Sequence, residues 1–434
     1  MRVVLLVTEY ISEKKFAGGL ANYTYRIAQG LKDLGHEPIV VVSAAEYKTL
    51  WHNGIQVRRV RAYLPQWIRV PKKMMGIPIK LPFRAVRKLR NLYNKRPNAP
   101  AQQAVINELH MPASNQLNTA MYLLGLGFGI RKALEEIHKE SPVDVAHYTH
   151  LSGISTFRVS KIPSVVRLSS HRDLWKPHNC QFAGPMQRRL EDIGVKRADR
   201  VVCPSHWVAD YVTQKLDVPI QVVESPFVPP PDPEDTTVFE EMIGPQTTYG
   251  LYFGSLAEWK GIFVLAEALE PFLQQHPDYT FVFVGRTLSE KEGLPAPAYI
   301  KKRLSAYSDR IKILGALRHP KLFPIIRGAQ FVALPSLADN FPNACLESMW
   351  LERVTIGTRG RSFDQLIEHE KNGFLCEPGD VESLRRALEK AAELPAEQRT
   401  KMGAAAKQRI QQLTPEKVVS ELLKVYEQAI ADKK

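Results

Sequence analysis

Cysteine is scarce in this sequence, and the few that occur lie far apart. The four are Cys180, Cys203, Cys345 and Cys376, and no two of them form a paired metal-ligand motif. Structural zinc sites need such pairs, and small secreted domains depend on many disulfides. We therefore expect four reduced, mostly buried thiols in a cytosolic protein, with no metal site and no bound cofactor.

Long apolar runs are missing as well. The N-terminal sequence MRVVLLVTEYI meets Glu9 early and has no small-residue cleavage pattern, so we interpret it as a first strand and not as a signal peptide. The run MYLLGLGFGI at 121–130 is rich in glycine and shorter than the roughly 20 apolar residues that a membrane-spanning helix needs. The sequence thus predicts a soluble globular chain.

Acidic residues are absent from one long region, Tyr47 to Asn107, which carries fourteen lysines and arginines. Since the net charge of the chain is +14, the positive excess belongs to this region. Within it, residues 69–96 interleave apolar and basic side chains, which is typical of segments that bind anionic lipid surfaces. A solvated face or loop is the alternative, and nucleic acid is not expected because no nucleic-acid module is recognisable. We predict a membrane or acceptor contact through Lys72, Lys73, Lys80, Arg84, Arg87, Lys88 and Arg90.

The length of 434 residues exceeds what one ordinary core holds and indicates two domains. Short apolar runs typical of buried strands alternate with helical patterns in both halves of the chain. This alternation predicts an α/β fold with two doubly wound parallel sheets. The last helix could pack on either domain. We divide the chain into an N-terminal domain (1–226), a proline-rich linker (227–248), a C-terminal domain (249–414) and a terminal helix (415–434).

A strand, a polar loop and a helix start follow one another in the sequence LPSLADNFPNACLESMWL at 334–351. Pro342 stands where the first turn of a helix accepts proline, so the backbone N–H groups near Asn343 and Ala344 point out of a helix N-terminus. That end of a helix carries partial positive charge. The sequence therefore predicts a site for an anion such as a diphosphate.

Two carboxylates flank this predicted anion site. Glu347 lies four residues after Asn343 on the same helix face, and its side chain leans toward the N-terminus, where a hydroxyl-bearing group such as ribose would lie. Asp339, on the loop, faces the other side and could accept hydrogen bonds from a sugar. The alternative is that Asp339 caps the helix and Glu347 is an exposed charge on an amphipathic helix.

The same run resembles the Glu-x7-Glu signature of glycosyltransferase family 4, a retaining family with the GT-B fold. The family has a strand ending in Pro-Ser, then acid-Gly-Phe-Pro, four residues, and Glu before a small-Met pair. This chain has Pro335-Ser336, Asp339-Asn340-Phe341-Pro342 and Glu347-Ser348-Met349, with a shorter first acid. The resemblance implies two Rossmann-like domains facing each other across a cleft, with a nucleotide sugar bound by the C-terminal one.

Other segments of the C-terminal half resemble the family too. FGSLAEWKG (253–261) is similar to its Gly-Arg-Leu-x3-Lys-Gly segment, so Lys260 matches the phosphate-binding lysine and Ser255 replaces the usual arginine. VFVGR (282–286) and KILGAL (312–317) also fit. The resemblance implies that the donor contacts Gly18, Gly19, Ser255, Lys260, Arg286, Leu317, Asp339, Asn340, Phe341, Pro342, Asn343, Ala344 and Glu347.

The N-terminal half matches the family more loosely. Gly18 and Gly19, at the head of the first helix, resemble its glycine loop, where glycine permits close backbone approach to phosphates; a simple turn is the alternative. His171 follows a strand in the region where family members often carry a functional histidine, although Ser169 could occupy that position instead and His178 lies nearby. The resemblance implies that His171, Asp339 and Lys260 are the catalytic residues.

The expected function is that of a retaining, nucleotide-sugar-dependent hexosyltransferase. The acceptor would be a glycan, a lipid-linked glycan or a small hydroxyl compound. The enzyme would act in the cytoplasm or at the inner face of a membrane. A sugar-nucleotide epimerase or phosphorylase of the same fold is one alternative. A non-catalytic basic scaffold that binds membrane or nucleic acid is the other. The sequence names neither the base, the sugar nor the acceptor.

Overall fold

The computed structural model describes residues 1–13, 19–63, 113–178, 184–229 and 237–433. Gly18, Cys180 and all seven basic residues proposed for a membrane or acceptor contact lie outside the described residues. Cys203, Cys345 and Cys376 are buried and form no disulfide, and burial raises the pKa of each thiol.

The N-terminal half builds one eight-stranded sheet. Its strands are β1 (Arg2–Val7), β2 (Glu37–Ser43), β3 (Lys48–His52), β4 (Ile55–Val60), β5 (Val145–Thr149), β6 (Ser164–Arg167), β7 (Arg200–Cys203) and β8 (Gln221–Val222). They lie in the order β3-β4-β2-β1-β5-β6-β7-β8, and only the edge strand β3 pairs antiparallel with its neighbour. The central strand β1 is buried on both faces, which explains its unbroken apolar sequence.

Helices cover both faces of this sheet and make a three-layer domain. They are α1 (Gly19–Asp33), α2 (Ala113–Glu140), α3 (Arg172–Trp175), α4 (Pro185–Lys196) and α5 (His206–Leu216). Apolar residues of α2, α4 and α5 share one core with the sheet, and those of α1 share another on the opposite face. Among the described residues, no helix combines the length and the apolar character that a membrane crossing needs.

The C-terminal half builds a second sheet with six parallel strands, and a small hairpin lies beside it. The sheet has β9 (Tyr249–Phe253), β10 (Thr280–Val284), β13 (Ile311–Leu314), β14 (Phe331–Ala333), β15 (Val354–Thr358) and β16 (Phe374–Cys376), and the hairpin has β11 (Glu290–Lys291) and β12 (Leu294–Pro295). The strand order is β13-β10-β9-β14-β15-β16. The predicted α/β class with two doubly wound sheets is therefore confirmed.

Helices again cover both faces of the second sheet. They are α6 (Thr237–Met242), α7 (Ile262–Gln275), α8 (Ala296–Arg303), α9 (His319–Gly328), α10 (Asn343–Trp350), α11 (Val381–Glu393) and α12 (Ala396–Ile410). The final helix, α13 (Pro415–Ala431), packs on the N-terminal sheet beside α1. Its Tyr426 hydroxyl lies 2.8 Å from Nδ1 of His147 on β5.

The β3–β4 hairpin falls in the acid-free region, where no strand was predicted. Its turn is Asn53-Gly54, and both residues have positive φ, 50° and 73°. Asn-Gly is the strongest short-range signal for a two-residue hairpin turn because both residues tolerate that backbone conformation. The sequence carries this signal at Asn53-Gly54, between the segments that form β3 and β4.

The two loops that carry the predicted site follow neighbouring strands. In the second sheet the strand order reverses between β9 and β14, because β10 lies on one side of β9 and β14 on the other. In open α/β sheets, ligands bind outside the carboxyl ends of the strands at such a reversal point. The loop with Lys260 follows β9, and the loop with Asp339 follows β14.

Candidate functional site

A cavity of about 260 Å³ lies between the carboxyl ends of the two sheets. Both domains contribute to its wall. From the N-terminal domain come Gly19, Leu20, Tyr23, Arg26, Arg167, Ser169, Ser170, Trp175, Pro204, Ser225 and Pro226, and from the C-terminal domain Asp339, Asn340, Phe341 and Asn343. The described part of the predicted donor set thus supplies five lining residues, Gly19, Asp339, Asn340, Phe341 and Asn343.

Asp339 is held in place by a dense set of polar contacts. Its Oδ2 accepts a bond from Lys260 Nζ at 2.5 Å and one from Ser336 Oγ at 3.3 Å. Its Oδ1 accepts the backbone N–H of Asn340, and its carbonyl accepts the hydroxyl of Ser362 at 2.9 Å. With only 9% of the residue exposed, the carboxylate presents a fixed edge to the cavity.

The two loops of the site are joined through their backbones. The carbonyl of Trp259 accepts the N–H groups of Leu337 and Ala338 at 2.9 and 3.1 Å. Gly261, directly after Lys260, has φ of 72°, and a Cβ there would lie 1.8 Å from the Pro335 carbonyl oxygen. Only glycine permits this approach, so the backbone itself brings Lys260 to the Asp339 loop.

The N-terminus of α10 meets the head of α1 across the cavity. Pro342 precedes α10, and Asn343 is its first residue. The first N–H groups of an α-helix have no acceptor inside the helix and are available to an anion. A Cβ on Gly19 would lie only 3.3 Å from Asn343 Nδ2, so the backbone of α1 comes very close to this helix end.

Glu347 lies one turn into α10, and its partner in the structure is a histidine. His319, the first residue of α9, places Nε2 at 3.2 Å from Glu347 Oε1. The Glu347 side chain is 15% exposed and that of His319 is 53% exposed. The hydrogen bond to Glu347 raises the pKa of His319, against the opposing effects of burial and of the Arg26 charge.

The pKa of His319 is expected to fall toward its ordinary value of about 6.5 when Glu347 is replaced by glutamine. Protonated His319 and ionised Glu347 attract each other, so their pairing stabilises the fold fully below pH about 6.5. That stabilisation is lost as the pH rises through the raised pKa of the folded protein. Titration of the His319 ring by NMR in wild type and Glu347→Gln measures the shift. Identical titration curves would show that the pair does not form in solution.

Asn340 and Gln365 join the donor loop region to the N-terminal domain. Asn340 Nδ2 donates to the carbonyl of Ser169 at 2.7 Å, and its Oδ1 accepts the Ser205 hydroxyl at 2.5 Å. Gln365 Nε2 donates to Glu224 Oε1 at 2.7 Å, and its Oε1 accepts the N–H of His206 at 3.1 Å. The side chain of Asn340, which the resemblance assigned to the donor, is therefore occupied by interdomain contacts in this structure.

His171 lies outside the cavity wall. It is the N-cap of α3, and its Nδ1 accepts the N–H of Asp173 at 3.4 Å. Its Nε2 lies 3.7 Å from Asp192, and its ring packs 5.2 Å from that of Tyr211. Ser169, the alternative residue for this position, lines the cavity, whereas the side chain of His178 lies outside the described part of the chain.

Three further residues of the predicted donor set lie beyond the cavity at carboxyl ends of strands. Ser255 follows β9, and its carbonyl accepts the Tyr252 hydroxyl at 2.6 Å. Arg286 is exposed after β10, and Leu317, after β13, is partly buried against the core. All three share an edge of the sheet with the site loops, and none of them lines the enclosed space. Lys260, Pro342, Ala344 and Glu347 are not lining residues either; Lys260 contacts the lining residue Asp339, and Pro342 and Ala344 flank Asn343 in the chain.

Sequence reasoning missed the basic and aromatic residues that the N-terminal domain brings to the cavity. Arg167 ends β6 and donates to the hydroxyls of Ser169 and Ser225, each at 2.9 Å. Its guanidinium carbon lies 3.5 Å from the centre of the Tyr23 ring. Burial lowers the pKa of this guanidinium. The available signal was a charged residue inside the apolar strand sequence SVVRL.

Two family models match this chain. Residues 247–393 match the model described as glycosyl transferases group 1, and residues 18–225 match the one described as glycosyl transferase 4-like domain. Alpha-D-kanosaminyltransferase of Streptomyces kanamyceticus is 24% identical over 266 residues, which cover 55% of this chain and 67% of the relative. D-inositol 3-phosphate glycosyltransferase of Pseudarthrobacter chlorophenolicus is 25% identical over 315 residues, 67% of this chain and 72% of the relative.

Solved structures show the same architecture. Sucrose-phosphate synthase from Thermosynechococcus elongatus superposes with a TM-score of 0.71 at 15% identity, covering 100% of both chains. Anabaena HepE, solved in complex with UDP and glucose, superposes with a TM-score of 0.65 at 17% identity, covering 98% of this chain and 99% of HepE. At these identities the likeness establishes the fold.

Proposed function

The chain belongs to the GT-B glycosyltransferases of family 4, and we propose that it transfers a hexose-type sugar from a nucleoside diphosphate to a hydroxyl acceptor with retained anomeric configuration. One observation carries the proposal. The helix N-terminus at Asn343, the Lys260–Asp339 pair and the glycine head of α1 converge on one cavity between the two domains. An electropositive helix end beside a lysine suits a diphosphate, and a fixed carboxylate suits a sugar hydroxyl.

Each residue of the site has a distinct role in this proposal. Glu347 accepts hydrogen bonds from the ribose, and the N–H groups at Asn343 and Ala344 hold the diphosphate. Lys260 stabilises the negative charge that develops as the diphosphate departs. Asp339 binds a hydroxyl of the transferred sugar. The lysine and the helix end supply the positive field, so we expect turnover to persist in the presence of EDTA.

The comparisons support the enzyme class and leave the donor and acceptor open. HepE was solved with UDP and glucose, which favours a nucleotide sugar as the donor. The relatives named above are glycosyltransferases, and none of those names supports the epimerase, phosphorylase or scaffold alternatives. One relative is named for a kanosaminyl group and the other for D-inositol 3-phosphate, so the acceptor of this chain is a separate question.

The nucleotide can be identified by thermal unfolding in the presence of UDP, GDP, ADP and their sugar conjugates. A ligand that binds the folded state raises the unfolding temperature, and a ligand at 100 times its Kd adds about 2.7 kcal/mol. Product analysis by NMR with the selected donor then reports the anomeric configuration and separates transfer from epimerisation. The proposal fails if no nucleoside diphosphate raises the unfolding temperature and none binds in calorimetry.

The basic segment at 69–96 suggests that the acceptor or the place of action is an anionic surface. We expect the protein to sediment with vesicles that contain anionic phospholipid and to be released by salt. Each basic residue near such a surface contributes about 1 kcal/mol, so replacing Lys72 and Lys73 with glutamine is expected to weaken binding about 30-fold. Equal binding to neutral vesicles, or binding that salt leaves unchanged, would count against docking.

A further inference from the structure

Arg167 is a buried cation in the wall of the interdomain cavity. The residue is 6% exposed, and its contacts are the Ser169 and Ser225 hydroxyls and the face of the Tyr23 ring. All of these partners are neutral at ordinary pH. Within the described ranges, no carboxylate forms an ion pair with Arg167. Burying a guanidinium without a carboxylate is costly unless an anion completes the site.

A second arginine of the same domain, which is only partly buried, shows the usual solution. Arg172 donates to Glu191 Oε2 at 2.9 Å and to Oε1 at 3.1 Å. The side chains of this pair are 13% and 7% exposed. The fold thus provides a buried carboxylate for Arg172, which is not among the residues that line the interdomain cavity. Two arginines line the cavity. Arg26 donates to the Pro226 carbonyl at 3.0 Å, whereas the described residues provide Arg167 with two serine hydroxyls and the face of the Tyr23 ring.

The surroundings of Arg167 do not offset its charge. His147 and His150 lie beneath it, and burial together with nearby positive charge lowers the pKa of both to about 3, so both rings are neutral. Asp339, the acidic residue of the cavity wall, is already bound to Lys260. The N-terminal side of the cavity therefore keeps a net positive charge with hydroxyl groups beside it.

We propose that Arg167 binds an oxyanion, a carboxylate or a phosphate, carried by the sugar portion of a substrate. This inference rests on the proposed function. The diphosphate is assigned to the C-terminal domain, at the end of α10 and Lys260, whereas Arg167 belongs to the opposite domain. Ser169 lies between the two, because its hydroxyl accepts from Arg167 and its carbonyl accepts from Asn340 of the donor loop. A planar guanidinium flanked by two serine hydroxyls fits a two-oxygen anion.

The oxyanion could be on the transferred sugar or on the acceptor, and calorimetry separates these sources. The donor arm compares UDP-glucuronic acid with UDP-glucose. The acceptor arm compares glucose 6-phosphate with glucose, both with and without saturating UDP. Wild type, Arg167→Gln and Arg167→Lys are measured together. Arg58→Gln is the control, because Arg58 pairs with Glu140 at the surface and its replacement removes the same charge elsewhere.

We expect wild type to prefer the charged member of one pair by about 10- to 100-fold, since charge-assisted bonds to a buried cation are of that strength. Arg167→Gln is expected to abolish the preference, Arg167→Lys to keep part of it, and Arg58→Gln to leave it unchanged. UDP alone is expected to bind wild type and Arg167→Gln equally.

Three results would overturn this assignment. First, the wild-type protein could show no preference in either arm, a result that does not depend on whether any variant folds. The preference could survive in Arg167→Gln, or UDP itself could lose affinity in that variant, which would place the diphosphate at Arg167. If UDP, GDP and ADP all fail to bind, the proposed function fails, while the acceptor arm without UDP still decides whether Arg167 binds a sugar phosphate.

Discussion

Replacing Lys260 with methionine is expected to lower kcat by about 100- to 1,000-fold, because the variant loses the charge proposed to stabilise the departing diphosphate. In the structure Lys260 Nζ lies 2.5 Å from Asp339 Oδ2, and the two side chains are 28% and 12% exposed. Methionine retains a flexible chain of similar length, so the change removes charge with little loss of volume. The loss should fall on kcat more than on KM, because the diphosphate gains charge only as the bond to the sugar breaks.

Steady-state release of nucleoside diphosphate, with the donor found by thermal unfolding, measures this effect. Lys260→Arg keeps the charge and should retain part of the activity, although a planar guanidinium group replaces a compact ammonium group. Lys291→Met is the matched control, since Lys291 pairs with Glu267 at 2.7 Å on the surface of the same domain. The control should behave as wild type. An unchanged kcat in folded Lys260→Met would remove Lys260 from the mechanism, and an equal loss in both variants would point to overall charge.

Local sequence motifs were enough to propose the C-terminal half of the site, because its parts lie in two short loops. Lys260 and Asp339 are 79 residues apart, yet each lies a few residues beyond a buried strand of the same sheet. The reversal of strand order between those strands brings the loops together. Glycine at 261 then fixes the close approach to Pro335. A strand, a polar loop and a lysine that matches the family segment were therefore enough to assign both segments to one proposed donor site.

The contribution of the N-terminal domain could not be predicted in the same way. Arg167, Tyr23 and Ser225 come from a strand end, a helix and an interdomain connection, and they meet only when the first domain is complete. No short motif joins them. Asn340 illustrates the same limit, since its side chain binds Ser169 and Ser205 across the cleft. Which residues face each other across a cleft depends on how two domains pack, and that information is spread over many distant contacts.

The position of α13 was open for the same reason, although its helical pattern was clear in the sequence. Residues 415–431 form a helix whose apolar stripe is buried on the N-terminal sheet, although the C-terminal domain precedes it in the chain. Its buried side chains include Val419, Leu422 and Tyr426, all fully enclosed. The side chains of α13 are thus part of the core that α1 shares with the N-terminal sheet. The N-terminal domain therefore depends on a segment that follows the C-terminal domain in the chain.

Ending the chain at Leu413 is therefore expected to prevent the N-terminal domain from folding. The truncation uncovers an apolar sheet face and removes several buried valine, leucine and tyrosine side chains, each of which contributes about 1.5–3 kcal/mol. Their sum is comparable with the total stability of a domain, about 5–15 kcal/mol.

A point substitution in α13 tests the same contact with a smaller loss of stability. Leu422→Ala should destabilise the N-terminal domain by about 2–5 kcal/mol in urea unfolding, because the side chain is fully buried.

The neighbouring Leu423 provides the control for this helix. It has the same helix propensity as Leu422 but is only partly buried, so Leu423→Ala should cost clearly less. Unfolding should be followed by a probe in the N-terminal domain, since a two-domain chain need not unfold in one step. Equal losses for the two leucines would mean that α13 does not pack through this face. A truncated chain that is soluble and unfolds cooperatively would show that the first domain folds without α13.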